Sequence, residues 1–189
     1  LLRIIAGELK GRKLDRIDTG SIRPTSDRVR EALFSILGDM VIDSSFLDLF
    51  SGSGGVGIEA YSRGAKEVVF VDVDSESIKV LKNNLKKTDI IGETEVICND
   101  YALAIDKLSN QGRKFDIIFI DPPYKAGIAL EAVRKIQAGD LLKKDGIIVI
   151  EHEAKELMPE AEGIFSMFKE KKYGNVRLSL YVAKKENGE

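Results

Sequence analysis

Four short constellations in this 189-residue chain combine acids, glycines and prolines in ways that could do chemistry. The first is Asp48-Leu49-Phe50-Ser51-Gly52-Ser53-Gly54-Gly55-Val56-Gly57. Glycines let a backbone turn tightly and approach a ligand, and Gly52, Gly54 and Gly57 spell the G-x-G-x-x-G pattern of dinucleotide sites. Asp48 precedes the first glycine by four residues. A carboxylate there would repel a pyrophosphate and attract a cationic amino-acid group. The second is Val71-Asp72-Val73-Asp74, with Asp72 20 residues past Gly52. An acid so placed can accept from both ribose hydroxyls, which fits NAD and S-adenosylmethionine equally. A plain helix N-cap suits Asp74 or Ser75 better. The third is Asn99-Asp100. Asp100 could accept from an adenine amino group, or cap the helical run that follows it.

The fourth, Asp121-Pro122-Pro123-Tyr124, is the most specific. Two prolines supply no N–H and force a stiff, extended turn. A carboxylate, a proline carbonyl and an aromatic ring are then held in fixed relation. That set suits a planar group with an exocyclic NH2: Asp121 accepts one N–H, the Pro122 carbonyl the other, and Tyr124 stacks on the ring. An aryl amine is a poor nucleophile because its lone pair is delocalised. Two acceptors on its hydrogens favour tetrahedral nitrogen and stabilise the positive charge that develops on attack. A base presented this way must leave its stack. An activated sulfonium methyl donor needs no metal, and none is expected.

These groups need elements to position them. Short apolar runs at 46–50, 67–71, 93–98, 115–120 and 146–150 alternate with helical patterns near 56–63, 75–87, 101–109 and 127–142. Such alternation marks a parallel, doubly wound α/β sheet, and right-handed crossovers put all the strand ends carrying these motifs on one edge. Segments 165–172 and 176–183 flank Tyr173-Gly174-Asn175 without a helix, which predicts an antiparallel hairpin closing the sheet. Upstream, 3–6 and 12–17 read as a short hairpin, and 27–37 as a helix capped by Thr25 or Ser26. Cys98 reads as a small core residue, and His152, beside Glu151, as a surface or cap residue.

Composition bounds the rest. Hydrophobic residues make up 43% and charged residues 32%, ordinary for a globular domain. A single cysteine and a single histidine argue against a disulfide framework or a His/Cys zinc site. No apolar run approaches ~18 residues and charges begin at Arg3, so neither a membrane span nor a signal peptide is expected. A cytoplasmic protein is the expectation. Net charge is −2, but residues 1–30 carry eight basic against four acidic side chains, which leaves a basic arm on an acidic body.

Taken together, Asp48–Gly57, Asp72, Asp100 and Asp121–Tyr124 at successive strand ends resemble the class I S-adenosylmethionine-dependent methyltransferases. The flanks sharpen this. Arg3–Leu14, Arg23-Pro-Thr-Ser-Asp-Arg-Val-Arg-Glu-Ala-Leu-Phe34 and Lys172–Tyr181 resemble the bacterial 16S rRNA (guanine-N2)-methyltransferases of the RsmD type. The resemblance implies a seven-stranded, mostly parallel Rossmann-like sheet with an antiparallel last strand. It implies a domain at 39–189 and an RNA-docking hairpin and helix extension at 1–38. The reaction implied is methyl transfer from S-adenosylmethionine, leaving S-adenosylhomocysteine, to N2 of a guanine in 16S rRNA. The implied setting is a small subunit or assembly intermediate, and the enzyme a monomer.

The implied cofactor contacts are Asp48, Ser51, Gly52 and Gly54 at the methionine part, Asp72 and Val73 at the ribose, Asn99 and Asp100 at the adenine, and Asp121 between cofactor and base. Asp121, Pro122 and Tyr124 carry the catalysis, and Pro123 and Tyr124 meet the base. Arg3, Lys10, Arg12 and Lys13 would hold RNA phosphates, with Arg23, Thr25 and Arg28 between arm and site. The tetrapeptide alone leaves other NH2 acceptors open: adenine N6 of DNA, another rRNA base, or a protein glutamine amide. A nicotinamide oxidoreductase would leave Asp48 and Asp121–Tyr124 unexplained, and an intact tetrapeptide argues against a non-catalytic binding module.

Overall fold

The computed structural model describes residues 2–17, 26–123 and 127–184. The central strands are β3 (Ser45–Asp48), β4 (Glu67–Asp72), β5 (Thr94–Cys98), β6 (Phe115–Ile120) and β7 (Leu142–Glu153), all parallel. Before them come the two-residue strands β1 (Leu2–Arg3) and β2 (Lys13–Leu14), paired antiparallel. After them come β8 (Ala161–Glu162), β9 (Phe165–Tyr173) and β10 (Val176–Ala183). The large sheet runs β5-β4-β3-β6-β7-β10-β9-β8. Its last strand in sequence, β10, inserts antiparallel between β7 and β9. Among the described residues the sheet therefore has eight strands rather than seven, because the β8 stub pairs with the start of β9. β7 begins at Leu142, which shortens the helix expected at 127–142 to Ile128–Ala138.

Helices α1 (Asp27–Leu37), α2 (Gly55–Ser62) and α3 (Ser75–Thr88) cover one face; α4 (Tyr101–Asn110) and α5 (Ile128–Ala138) cover the other. The strands alternate to serve both faces. On β4, Val68 and Phe70 join the first core while Val69 and Val71 join the second. This two-sided burial explains why the strands read as continuous apolar runs. Each fully buried Leu, Val or Phe stabilises the fold by roughly 1.5–3 kcal/mol. The N-terminal segment shares the first core through Leu2, Ile4, Leu9 and Leu14.

Ser26 caps α1, accepting from the Val29 N–H at 3.2 Å. Asp74 caps α3 by accepting from the Ser77 N–H at 2.9 Å. The chain visits β3, β4 and β5 on one side, then crosses to β6 and β7, so the order reverses between β3 and β6. Open α/β sheets bind ligands at that reversal, outside the carboxyl ends of the strands.

Two expectations fail. Cys98 is exposed, because it is the last residue of an edge strand while Ile97 points into the core. His152 is buried rather than a surface residue, and is held by Ser179 Oγ at Nε2 (2.8 Å) and the Glu153 carbonyl at Nδ1 (3.0 Å). Burial holds its imidazole below the ordinary value.

Candidate active site

A cleft of about 510 Å³ opens at the reversal point. Asp48 ends β3 on one side of it and Asp121 follows β6 on the other. Every expected cofactor contact lines this cleft except Gly54. Gly54 works behind the wall. It starts α2 at φ +86°, and a Cβ there would stand 2.3 Å from Leu81 Cδ1. Gly57 is a packing residue as well, since its Cβ would meet the Phe70 ring at 2.3 Å. The two glycines let a tight turn enter a helix pressed against β4.

The acids hold the loops as well as face the cleft. Asp72 Oδ2 accepts from the Gly52 N–H at 2.7 Å, and Oδ1 from the Asp74 N–H at 2.9 Å. Asp72 thus fixes the glycine turn relative to β4 and keeps lone pairs for a diol. Asp100 Oδ1 caps α4 through the Ala102 N–H at 2.8 Å, so the capping and lining roles coexist. Asn99 turns its side-chain oxygen to the Asp100 N–H at 2.9 Å. The rings of Phe50 and Tyr101 lie 5.2 Å apart at the cleft wall, and Val73 is exposed beside them. Together they offer apolar cover to a planar ring.

Asp48 is buried, and its Oδ2 accepts from the Gly57 N–H at 3.0 Å. Burial pushes its carboxyl up to about 8, and the nearby Asp121 and Asp72 push the same way. At neutral pH it is mostly protonated, and an arriving cation would draw out that proton.

Asp121, Pro122 and Pro123 line the cleft on one flank and a shallow notch on the other, which also includes Glu151 and His152. The notch holds only about 20 Å³, room for a water-sized group, so the proline turn borders one ligand-sized opening among the described residues. Tyr124, Arg23 and Thr25 lie outside the described residues. Arg3, Lys10, Arg12, Lys13 and Arg28 are exposed and do not line the cleft. Arg12 Nη1 donates to the Lys87 carbonyl at 3.2 Å, and Asp15 Oδ1 pairs with Lys87 at 2.6 Å. Asn84 accepts from the Asp15 N–H at 2.7 Å and donates to the Ser53 carbonyl at 2.9 Å. This ties the N-terminal segment to the glycine loop.

The cleft also contains groups that sequence reasoning missed. Arg30 lines it while only 1% exposed. Its Nη2 donates to the Arg3 carbonyl at 2.5 Å and to Asp27 at 3.1 Å. Glu59, fully buried, lies 3.6 Å from Arg30 Nε and accepts from the Ile5 and Ala6 N–H groups at 2.8 and 3.0 Å. A cation on the apolar stripe of α1, in line with Leu33, Phe34 and Leu37, was the available signal for Arg30.

A cofactor with an adenine, a ribose and a zwitterionic amino-acid tail can be tested against these residues. Among the described residues, three buried polar side-chain atoms lack a hydrogen-bond partner: Arg30 Nε, Ser51 Oγ and Arg177 Nε. Two of the three belong to cleft residues. The cleft lining offers acids that can accept from a diol and face an ammonium, and aromatic rings that can cover an adenine. The residues present fit. No group of three or more His, Cys, Asp or Glu able to hold a metal occurs among the described residues. No helix among them is long and apolar enough to cross a membrane.

Comparison with known proteins agrees with this architecture. The family described as "Conserved hypothetical protein 95" matches residues 2–182. The chain is 34% identical over 180 residues to "Ribosomal RNA small subunit methyltransferase D" of Escherichia coli, covering 95% of this chain and 89% of that one. It is 36% identical to the protein of the same name in Haemophilus influenzae, covering 95% and 93%. A solved structure named "Putative methyltransferase yhhF from Escherichia coli" superposes with a TM-score of 0.83 at 30% identity, covering 97% of this chain and 98% of the other.

Proposed function

From the premise that the chain belongs to the family described as conserved hypothetical protein 95, the RsmD family, we propose that it methylates rRNA. The methyl group comes from S-adenosylmethionine, and the acceptor is the exocyclic N2 amine of a guanine in 16S rRNA. The observation that carries the reading is the placement of Asp121, Pro122 and Pro123 on the wall of a cofactor-sized cleft that Asp48, Asp72 and Asp100 also line. Methyl transfer needs donor and acceptor in contact and aligned, and a rigid proline turn at the edge of the cleft can present an acceptor amine to a donor bound in it.

When bound, the cofactor supplies a sulfonium-activated methyl group, so the chain has only to position the acceptor and stabilise charge. Asp121 accepts one N–H of the amine and the Pro122 carbonyl accepts the other, which turns the nitrogen lone pair toward the cleft. As the nitrogen gains positive charge, the Asp121 carboxylate stabilises it. The amine proton becomes acidic only after transfer and leaves to Asp121 or to water. Asp72 takes the ribose hydroxyls, Asn99 and Asp100 border the adenine, and Asp48 meets the ammonium. Asp121 also borders the cofactor, and Ser51 and Gly52 lie against its amino-acid tail. Gly54 supports that tail from behind by shaping the turn. Val73 packs on the ribose side. Pro123 and Tyr124 border the base.

The exposed Arg3, Lys10, Arg12 and Lys13 hold RNA phosphates, with Arg23, Thr25 and Arg28 leading toward the site. In this reading residues 1–38 form the RNA-docking part of a cytoplasmic, monomeric enzyme acting on a small subunit or its precursor. Small subunits lacking the modification, incubated with labelled S-adenosylmethionine and digested to nucleosides, test it. N2-methylguanosine is the expected product. Label on another nucleoside refutes the guanine assignment, and no label on RNA refutes the substrate class.

A further inference from the structure

Among the described residues, five carboxyl groups line the cleft, those of Asp48, Asp72, Asp74, Asp100 and Asp121. These suit the sugar hydroxyls, the adenine amine and the ammonium of the cofactor. They repel its other charge, the α-carboxylate. Among the described residues only two cations line the cleft, Arg16 and Arg30. Arg16 is exposed; Arg30 is 1% exposed.

Resting on the cofactor reading above, we propose that the Arg30 guanidinium is the anchor for the cofactor's α-carboxylate. Its Nη2 is committed to the Arg3 carbonyl and Asp27. Its Nε faces Glu59 at 3.6 Å without a hydrogen bond. Its Nη1 lies on the side of the glycine turn, 3.6 Å from where a Cβ on Gly55 would stand. Leu2 Cδ2 stands nearer the same point, at 3.2 Å, so Leu2 shares the space left by the missing side chain. With Nη2 and Nε turned to protein partners, Nη1 is the nitrogen left to donate to a carboxylate, a charge-assisted hydrogen bond that low local dielectric strengthens.

A second cleft residue, Ser51, also holds an uncommitted donor, its buried and unpartnered Oγ. The surrounding network holds Arg30 in place before any ligand arrives. Glu59 balances its charge, while Arg63 Nε donates to Glu59 at 2.8 Å. A preordered cation loses little conformational freedom on binding, which favours affinity.

The test changes the ligand first, so it does not depend on a variant folding. Calorimetry with the intact protein compares S-adenosylmethionine with its decarboxylated form, which differs only in the carboxylate. The expected result is weaker binding of the decarboxylated form by roughly 10- to 100-fold, the range for a hydrogen-bonded charge. Arg30→Met should erase that difference. Where Arg30→Met fails to fold, Arg30→Lys, which keeps the charge without the Nη1 donor, should shrink it. Equal binding of the two ligands by the unaltered protein overturns the proposal and leaves the cofactor reading standing. Undiminished discrimination in the Arg30 variants assigns the carboxylate elsewhere and overturns it too. Absence of binding with either ligand overturns the cofactor reading itself.

Discussion

Replacing Asp48 with Asn should flatten the protein's stability profile between pH 6 and 8. Asp48 is buried at the end of β3, and burial lifts its carboxyl to about 8 in the folded state. The same group in an unfolded chain titrates near ~3.9. Between those values the folded state holds a proton that the unfolded state has released. Its contribution to stability is thus complete below ~3.9 and is lost as pH rises through about 8. From pH 6 to 8 the ratio of folded-state to unfolded-state proton binding falls roughly fifty-fold, on the order of 2 kcal/mol. For a chain of this length that is roughly 4–8 °C in Tm.

Asn imitates the protonated carboxyl and retains an oxygen for the Gly57 N–H, which Asp48 now accepts at 3.0 Å. His152 adds an opposite contribution below the ordinary imidazole value, because burial depresses its folded value, but it is present in both proteins and cancels in the difference. The assay is ligand-free thermal unfolding followed by circular dichroism at half-unit pH steps. The unaltered protein should lose stability toward pH 8 relative to the Asn variant. Parallel profiles would show that Asp48 is already ionised at pH 6 and would refute the argument from burial.

Three further outcomes are expected. Asp121→Ala should lower methyl transfer by at least ~100-fold while S-adenosylhomocysteine affinity, read by calorimetry, stays within about threefold; an active variant would remove Asp121 from the chemistry. Changing Arg12 and Lys13 together to Gln should flatten the log–log salt dependence of RNA affinity by roughly 1.4–1.8 units, from about 0.7–0.9 per phosphate contact. Gly57→Ala should destabilise the fold by about 1–3 kcal/mol, because overpacking against Phe70 outweighs the helical preference of alanine; a rise in Tm would contradict the contact.

How much of this was legible in the residues differs by kind. Strands buried on both faces announce themselves as apolar runs, and the acids that end them mark the ligand edge without any knowledge of packing. The doubly wound sheet, the closing hairpin and the capping role of Asp74 follow from such local signals. Arg30 was hidden because its place depends on α1 folding onto the start of α2, a contact between distant parts of the chain. His152 and Cys98 were misread for a related reason. The first is enclosed by its pairing with β10, whereas the second belongs to a strand with a single neighbour. Gly54 and Gly57 carried a ligand pattern whose physical cause here is helix packing.

The two margins of the sheet have a consequence for self-association. An unpaired strand invites a second copy to add to it. At one margin, β5 carries Glu95, engaged by Arg113 at 2.9 Å and Lys107 at 3.7 Å. At the other, β8 covers only the first residues of β9, and the uncovered stretch contains Lys169, Glu170, Lys171 and Lys172. Strand addition at either margin would strip water from these charges and bring like charges together across the new ladder. Both ends of the sheet thus resist templated aggregation, so the long hairpin can end the sheet without a covering helix.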